Sequence, residues 1–348
     1  MSKNDPLFLK NLWYYALHCH QLKTGKLVQK EILGERIVFG RNEEGLPFAL
    51  KDNCPHRGVP LSKGWFDGKS IQCCYHGWKF NCQGTCTDIP ALADSPVDIG
   101  KIKVYQYPCR EINDTIWVYI PYNKLKLEGA EQRLPDLLVG SDKKFMHVET
   151  MRLPTDIDHS VIGLIDPAHV TFVHQSWFWR TAGNAKLKEK HFVPDMLGFK
   201  MKRHTPSANS KGYAVLKGGT STEINFQLPG NRLEHIKVGS NEIVSITTLT
   251  PINENETELN HIFYTSIGLA KLLWTPLKFL GRQFIGQDLG VFQKLKEGLE
   301  TNPTLMLLGD PDAQARWYYE LKMSWSNALA ESKPFTNPLS LQSLKWIT

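Results

Sequence analysis

Long apolar runs are missing from this chain. No stretch reaches the roughly 18 consecutive apolar residues that a membrane-crossing helix needs. The opening MSKNDPLFLKNLWYYALHCHQ lacks a long apolar core and a small-residue cleavage site, which predicts no signal peptide and a cytoplasmic protein. A G-x-G-x-x-G fingerprint is absent, so the chain shows no flavin or nicotinamide site of that type. Repeats and low-complexity tracts are absent too. An excess of one charge is nearly absent: 41 Lys+Arg against 35 Asp+Glu gives +6 over 348 residues. That excess suits solubility or an acidic protein partner, and it is no nucleic-acid signature. With 41% hydrophobic and 22% charged residues, wholesale disorder, collagen and coiled coil are excluded. Cysteine, by contrast, is present and clustered. Five of seven fall between Cys54 and Cys86, and an odd clustered set in a reducing compartment points to metal before disulfides.

At about 150 residues per domain, the length predicts two domains. KLVQKEIL, ERIVFGR and PFALKD alternate apolar and polar residues and predict short antiparallel strands. Residues 102–121 predict another pair, turning at Asn113-Asp114. Residues 1–122 therefore read as an all-β unit, 123–140 as a charged connector, and 141–348 as an α+β domain. In the last, MHVETMRLP, GFKMKRH, YAVLKG, TEINFQL, RLEHIKVG, EIVSITTLTP and TELNHIFYTSI predict strands. DPAHVTFVHQSW predicts a helix start, and 270–300 and 311–331 predict helices.

The sharpest pattern is Cys54-x-His56 followed by Cys73-x-x-His76. Each pair fits one tight loop, and the residues between suffice for a return strand pair. Two Cys and two His suit tetrahedral zinc or a [2Fe–2S] cluster with Cys₂ on one iron and His₂ on the other. Zinc loops usually pair like with like, whereas here each loop offers one of each, which suits a binuclear cluster. Gly58, Gly64 and Gly77 let backbone amides approach sulfur, and Pro60 and Trp78 can exclude water. Cys74 could also make a C-x-H pair with His76.

This pattern resembles the Rieske iron–sulfur domain. The resemblance implies Cys54 and Cys73 on one iron, and His56 and His76 on the other. Its spacing favours Cys73 over Cys74. Cys82 and Cys86, just beyond, are expected as free thiols.

More than 200 residues remain, and their most suggestive stretch is GLIDPAHVTFVHQSW, with Asp166-x-x-His169-x-x-x-x-His174. On a helix, Asp166 and His169 are neighbours, about 60° apart, while His169 and His174 stand about 140° apart. Both imidazoles reach one metal only if the helix bends or ends between them, and the intervening β-branched residues favour that. Two His plus one carboxylate make a facial triad for non-heme Fe(II). Spacing alone cannot choose among 35 acids. Asp288, in the apolar helical stretch FIGQDLGVFQKL, is the best candidate.

Together the two patterns resemble the Rieske non-heme iron oxygenases, specifically their terminal oxygenase subunits. The resemblance implies a helix-grip (START-like) antiparallel sheet in the catalytic domain and a head-to-tail homotrimer. It implies cofactors of one [2Fe–2S] cluster and one mononuclear Fe(II). It also implies a ferredoxin or flavin reductase that delivers NAD(P)H-derived electrons. Asp166 would then be a catalytic bridge, bonded to His169 and to His76 of a neighbouring subunit. One departure is plain: many members carry Asn three residues before that Asp, where this chain has Gly163.

Plainer roles compete. Asp166-Pro167 also fits a helix N-cap with Pro at N1. His18 and His20 read as surface or packing residues, and His235 and His261 as structural histidines on strands. Residues 269–285 read as a core and pocket-lining helix interrupted by Pro276 and Gly281, with a membrane-surface helix as the second reading. The activity expected is O₂-dependent hydroxylation or oxidative demethylation of an apolar small molecule. The alternatives are a Rieske-type electron carrier and a zinc-stabilised binding protein.

Overall fold

The computed structural model describes residues 7–93, 96–125, 137, 139–140, 143–174, 186–206, 219–268 and 274–348. Side chains at 274–278, 280 and 284 fall outside that description. So do the expected strand YAVLKG, residues 175–177 of the expected helix start, most of the expected connector and the segment 269–273. The chain forms two compact units, 10–134 and the rest, each with its own sheets.

The first unit is all-β. Leu12–His18 has no polar alternation because it is buried on both faces, as all seven residues are. It pairs antiparallel with Thr115–Ile120, itself buried throughout, which pairs in turn with Cys109–Ile112. A second sheet runs Val28–Ile32, Glu35–Arg41, Pro47–Lys51, Gln106–Tyr107. A third, of short strands, runs Trp65–Phe66, Ser70–Gln72, Lys79–Asn81, Cys86–Asp88. Residues 109–120 form the expected pair turning at Asn113-Asp114, while Gln106–Tyr107 joins the second sheet instead. Beneath the third sheet, Leu61, Ile71, Phe80, Val38 and Leu50 pack with Cys54, Cys73, Cys82 and Cys86.

The second unit is an eight-stranded antiparallel sheet carrying helices. Its spatial order is Lys144–Leu153, Glu256–Thr265, Asn241–Asn253, Asn231–Val238, Thr220–Gln227, Gly198–His204, Leu187–Asp195, Gln342–Ile347. The hairpin at 253–256 closes with Asn253 opposite Glu256. Two edge elements, Leu187–Asp195 and Gln342–Ile347, carry no clear sequence signal. Long Lys and Glu side chains interrupt them, as suits strands near a sheet edge.

Helix Ile157–Ile165 also escaped the sequence pattern. Asp156 caps it by accepting from the His159 amide at 2.9 Å. A buried ion pair ties it to helix Ala313–Ala330: Asp158 Oδ2 accepts from Lys322 Nζ at 2.6 Å, and Oδ1 from Tyr318 Oη at 2.6 Å. Helix Trp274–Leu299 packs on strand Lys144–Leu153. It runs through Gly281, so Gly281 does not interrupt it, and Pro276 lies in its first turn, where no intrahelical amide donor is required. Its described part is amphipathic, with Ile285 buried and Phe279 and Arg282 exposed. Among the described residues no helix is long and apolar enough to cross a membrane.

Candidate metal centres

In the first unit the two loops of the Cys/His pattern are built alike. The Cys54 amide donates to Val59 O at 2.8 Å, and the Cys73 amide to Trp78 O at 2.8 Å. Gly58 N donates back to Cys54 O at 2.9 Å, and Gly77 N to Cys73 O at 3.1 Å. Both glycines need positive φ, +78° and +73°. This frame makes Cys73 the counterpart of Cys54 and leaves Cys74, the residue after it, exposed. Both paired thiols are 2% exposed.

The imidazoles complete a four-donor group. His56 and His76 rings lie 4.5 Å apart, Trp78 stacks on His56 at 4.7 Å and 6°, and Tyr75 covers His76 at 3.9 Å. Burial pushes the Cys54 thiol up to about 11, with Cys73 beside it adding to the rise, while the backbone amides of His56 and Arg57 bond its sulfur and oppose it. At Cys54 the amides that approach sulfur are thus those of His56 and Arg57. Gly64 serves a different need: a Cβ there would lie 2.1 Å from Gln72 O. His56 Nδ1 is buried with no hydrogen-bond partner among the described residues. Such a nitrogen, next to two buried thiols, fits a metal-bound donor set of two sulfurs and two nitrogens. Cys82 and Cys86 are buried free thiols whose Sγ atoms face carbonyls, Lys69 O at 3.4 Å and Asp88 O at 3.7 Å.

In the second unit the helix Val170–Val173 lasts four residues, with His169 at its N-cap and His174 at its C-cap. Ending there swings His174 round to the side of His169, and the two rings stand 5.4 Å apart at 66°. Asp288 comes from helix Trp274–Leu299: its Oδ1 is 3.4 Å from His174 Nε2 and 3.7 Å from His169 Nε2. One donor atom from each of the three lies within 4.8 Å of the others. A half-buried carboxylate, a half-buried imidazole and a buried one facing a common point fit a 2-His-1-carboxylate iron site. Burial pushes Asp288 up to about 6 and His174 down to about 4. Burial also works against a charged His169, but its bond to Asp166 and the Asp288 charge outweigh it and raise its pKa.

The outer contacts fix each ring. His174 Nδ1 meets Gln287 Oε1 at 3.1 Å. Sequence reasoning missed Gln287, although its place directly before Asp288 is a signal. His169 Nδ1 meets the Asp166 main-chain carbonyl at 2.9 Å, with Asp166 Oδ2 farther, at 3.6 Å. Asp166 Oδ1 accepts from the Ala168 amide at 2.6 Å. Asp166 is thus the C-cap residue of helix Ile157–Ile165 and not the expected N-cap of the helix that follows, where His169 stands, while its carboxylate meets Ala168 and lies beside His169. An apolar cavity of about 220 Å³ adjoins His169 and Asp288, walled by Leu153, Leu259, Val291, Phe292 and Leu295. His261 is half-buried on the sheet against Thr247 and Ser245, and His235 faces Glu242 at 3.1 Å.

A family model described as the Rieske [2Fe–2S] domain matches residues 12–108. A chlorophyllide a oxygenase of Chlamydomonas reinhardtii is 36% identical over 174 residues, 49% of this chain and 25% of that protein. The 3-chlorobenzoate-3,4-dioxygenase oxygenase subunit of Comamonas testosteroni is 30% identical over 181 residues, 50% of this chain and 40% of that subunit. The chain thus spans less than half the length of these two relatives. Dicamba monooxygenase bound to dicamba has the same fold, with a TM-score of 0.78 at 20% identity over 93% of this chain and 99% of that one.

Proposed function

We propose that this chain is a Rieske non-heme iron oxygenase and serves as the terminal oxygenase of a short electron-transfer system, a reading supported by its Rieske [2Fe–2S] domain match and its oxygenase relatives. In this reading it uses O₂ to hydroxylate or oxidatively demethylate an apolar small molecule. The observation that carries the reading is the convergence of His169, His174 and Asp288 in the second unit. An electron carrier of Rieske type has no use for such a group, and zinc stabilisation would not require it. The relatives named above, an oxygenase of chlorophyllide a and a dioxygenase acting on 3-chlorobenzoate, are in the same reaction class.

Cys54 and Cys73 would hold one iron of a [2Fe–2S] cluster and His56 and His76 the other, while His169, His174 and Asp288 would hold mononuclear Fe(II). Bound there, the cluster stores an electron and the ferrous ion offers open positions to O₂. The protein's own part is to set protons and exclude water. A hydrogen on His169 Nδ1, donated to the Asp166 carbonyl, leaves the Nε2 lone pair facing Asp288. A hydrogen on His174 Nδ1, donated to Gln287 Oε1, does the same for the second ring. The apolar wall of the adjoining cavity selects an apolar substrate and keeps water from the ligands. The reading includes a cytoplasmic homotrimer fed by a ferredoxin or flavin reductase, with Asp166 linking His169 to His76 of a neighbouring copy.

Iron content per chain separates the classes: about three for the oxygenase, two for the carrier, none for a zinc protein. Reductase-coupled O₂ uptake with a substrate panel, read by product mass, then tests the activity. Asp166→Asn should retain both iron signatures and lose turnover by about 10–100-fold or more. A stoichiometry of two irons, or full activity in Asp166→Asn, overturns the corresponding part.

A further inference from the structure

The cavity of the second unit has a polar end away from the metal ligands. His159, Gly163 and Asp166 all line it. They stand at i, i+4 and i+7 along helix Ile157–Ile165 and its cap, so one stripe of that helix faces the space. Seven residues at about 1.5 Å each set His159 about 10 Å along the helix from Asp166. Asp156 fixes this histidine. Its Oδ1 accepts from the His159 amide at 2.9 Å, and its Oδ2 lies 2.7 Å from ring Nδ1. The carboxylate therefore holds a hydrogen on Nδ1, and Nε2 has no hydrogen-bond partner among the described residues.

The other polar side chains on this part of the wall are already bonded. Ser160 Oγ donates to Asp156 O at 2.8 Å and meets Thr155 Oγ1 at 2.9 Å. Asp312 Oδ2 accepts from the Leu308 amide at 2.7 Å. We propose that His159 holds the far end of the substrate through Nε2, and that this end is an uncharged acceptor oxygen, such as a carbonyl, on an otherwise apolar molecule. The inference rests on the oxygenase reading above and adds to it the polar group the substrate carries, remote from the carbon that is oxidised.

Charge selects against an acid. Lys322 balances Asp158, and a protonated His159 balances Asp156. Asp312 lines the same cavity and is left over, so a substrate carboxylate would meet a net negative end. The bond to Asp156 raises the pKa of His159 against the opposing effect of burial, which favours a hydrogen on Nε2 as well as on Nδ1. Nε2 then donates, and a carbonyl oxygen accepts. A hydrocarbon would leave that donor unmet in an apolar space, which weakens binding. Size narrows the class further. A cavity of about 220 Å³ is below the roughly 300–1,000 Å³ of pockets for drug-sized ligands, so it suits a molecule of single-ring size.

The test measures probe binding to the iron-loaded full chain under nitrogen, where nothing turns over, by ligand-observed NMR. The probes are 4-methylacetophenone, its hydrocarbon match 4-isopropyltoluene, and the anion 4-methylbenzoate. Wild type should bind the ketone about tenfold tighter than either of the others. His159→Phe should erase that preference and keep the affinity for the hydrocarbon. His159→Gln, which retains a donor, should restore part of the preference. Iron content and visible absorption should match in all three proteins, since Asp156 still caps the helix through the main-chain amide at 159. A ketone preference that is absent from wild type, or that survives His159→Phe, overturns the role of His159. Tighter binding of the benzoate overturns the uncharged end. Failure of the oxygenase reading shows separately, as about two irons per chain in the same samples.

Discussion

Gly163 lies beneath the ring of Phe292. A Cβ built on this glycine would fall 2.7 Å from Cζ and 3.1 Å from Cε1 of the ring. Phe292 stands one turn after Asp288 in the same helix, and Gly163 stands one turn before Asp166 in helix Ile157–Ile165. The two residues therefore fill jointly the space beside the His169/Asp288 group. The resemblance drawn from the sequence implies a side-chain amide at this position, where the chain has Gly163. The packing gives a physical reason: Phe292 occupies the volume that a larger side chain would need.

Gly163→Asn should accordingly overpack this contact and cost about 1–3 kcal/mol. Adding Phe292→Ala should return much of that loss, because the ring is the obstacle. Chemical denaturation of the two single variants and the double variant measures the coupling. Strict additivity would show that the two sites do not share space.

Cys73 and Cys74 make opposite predictions. Cys73 stands where Cys54 stands in its own loop, with the same amide frame, whereas Cys74 is exposed. Cys73→Ser should lose the visible absorption of the cluster, and Cys74→Ser should keep it. The reverse outcome would mean that the loop frame does not select the ligand.

Gln287 holds His174 through Nδ1 at 3.1 Å. Gln287→Leu removes that acceptor while keeping the side chain's bulk. Affinity for the mononuclear iron should fall about 10–100-fold, the usual cost of losing an outer hydrogen bond to a ligating histidine. The absorption of the cluster should not change. Unaltered Fe(II) affinity, measured by titration, would show that the ring needs no such guide.

His261 gives a pH dependence of stability. Burial pushes its folded-state pKa down to about 4, against 6.5 for a free histidine. Between those values the unfolded chain binds a proton that the folded protein refuses. Stability is therefore complete above about pH 6.5 and is lost as pH falls towards 4. At about 1.36 kcal/mol per pH unit the span is worth about 3 kcal/mol. His261→Gln keeps hydrogen-bonding capacity towards Thr247 and Ser245 and should flatten this slope. Denaturation midpoints at pH 7 and 4.5 check it, and parallel losses in wild type and variant would count against the assignment.

Much of the first centre was legible in the sequence because its geometry is local. Cys54 and His56, like Cys73 and His76, sit in single turns whose shape follows from a few residues and one glycine each. Strand Glu35–Arg41 was legible for the same reason, because its β-branched and aromatic run is bounded by nearby turns, although its central residues 37–40 are buried in succession and do not alternate. Leu12–His18 carried no alternation to read, because burial on both faces removes it. Helix Ile157–Ile165 was hidden because its buried Asp158 looks polar until Lys322 and Tyr318 arrive from the far end of the chain. His18 and His20 read as surface or packing residues, and His18 packs buried while His20 is exposed.

The sequence by itself determined which short loops present thiol and imidazole together, and that two histidines follow an Asp-Pro step. Spacing constrains geometry strongly across a few residues. Only the tertiary structure decided which carboxylate faces those histidines, which amide steadies His174, and what closes the space above Gly163. Those contacts join segments more than a hundred residues apart, as His174 and Gln287 do across 113. Over such separations the chain's local preferences carry no positional information, and the packing of helices on the sheet supplies it.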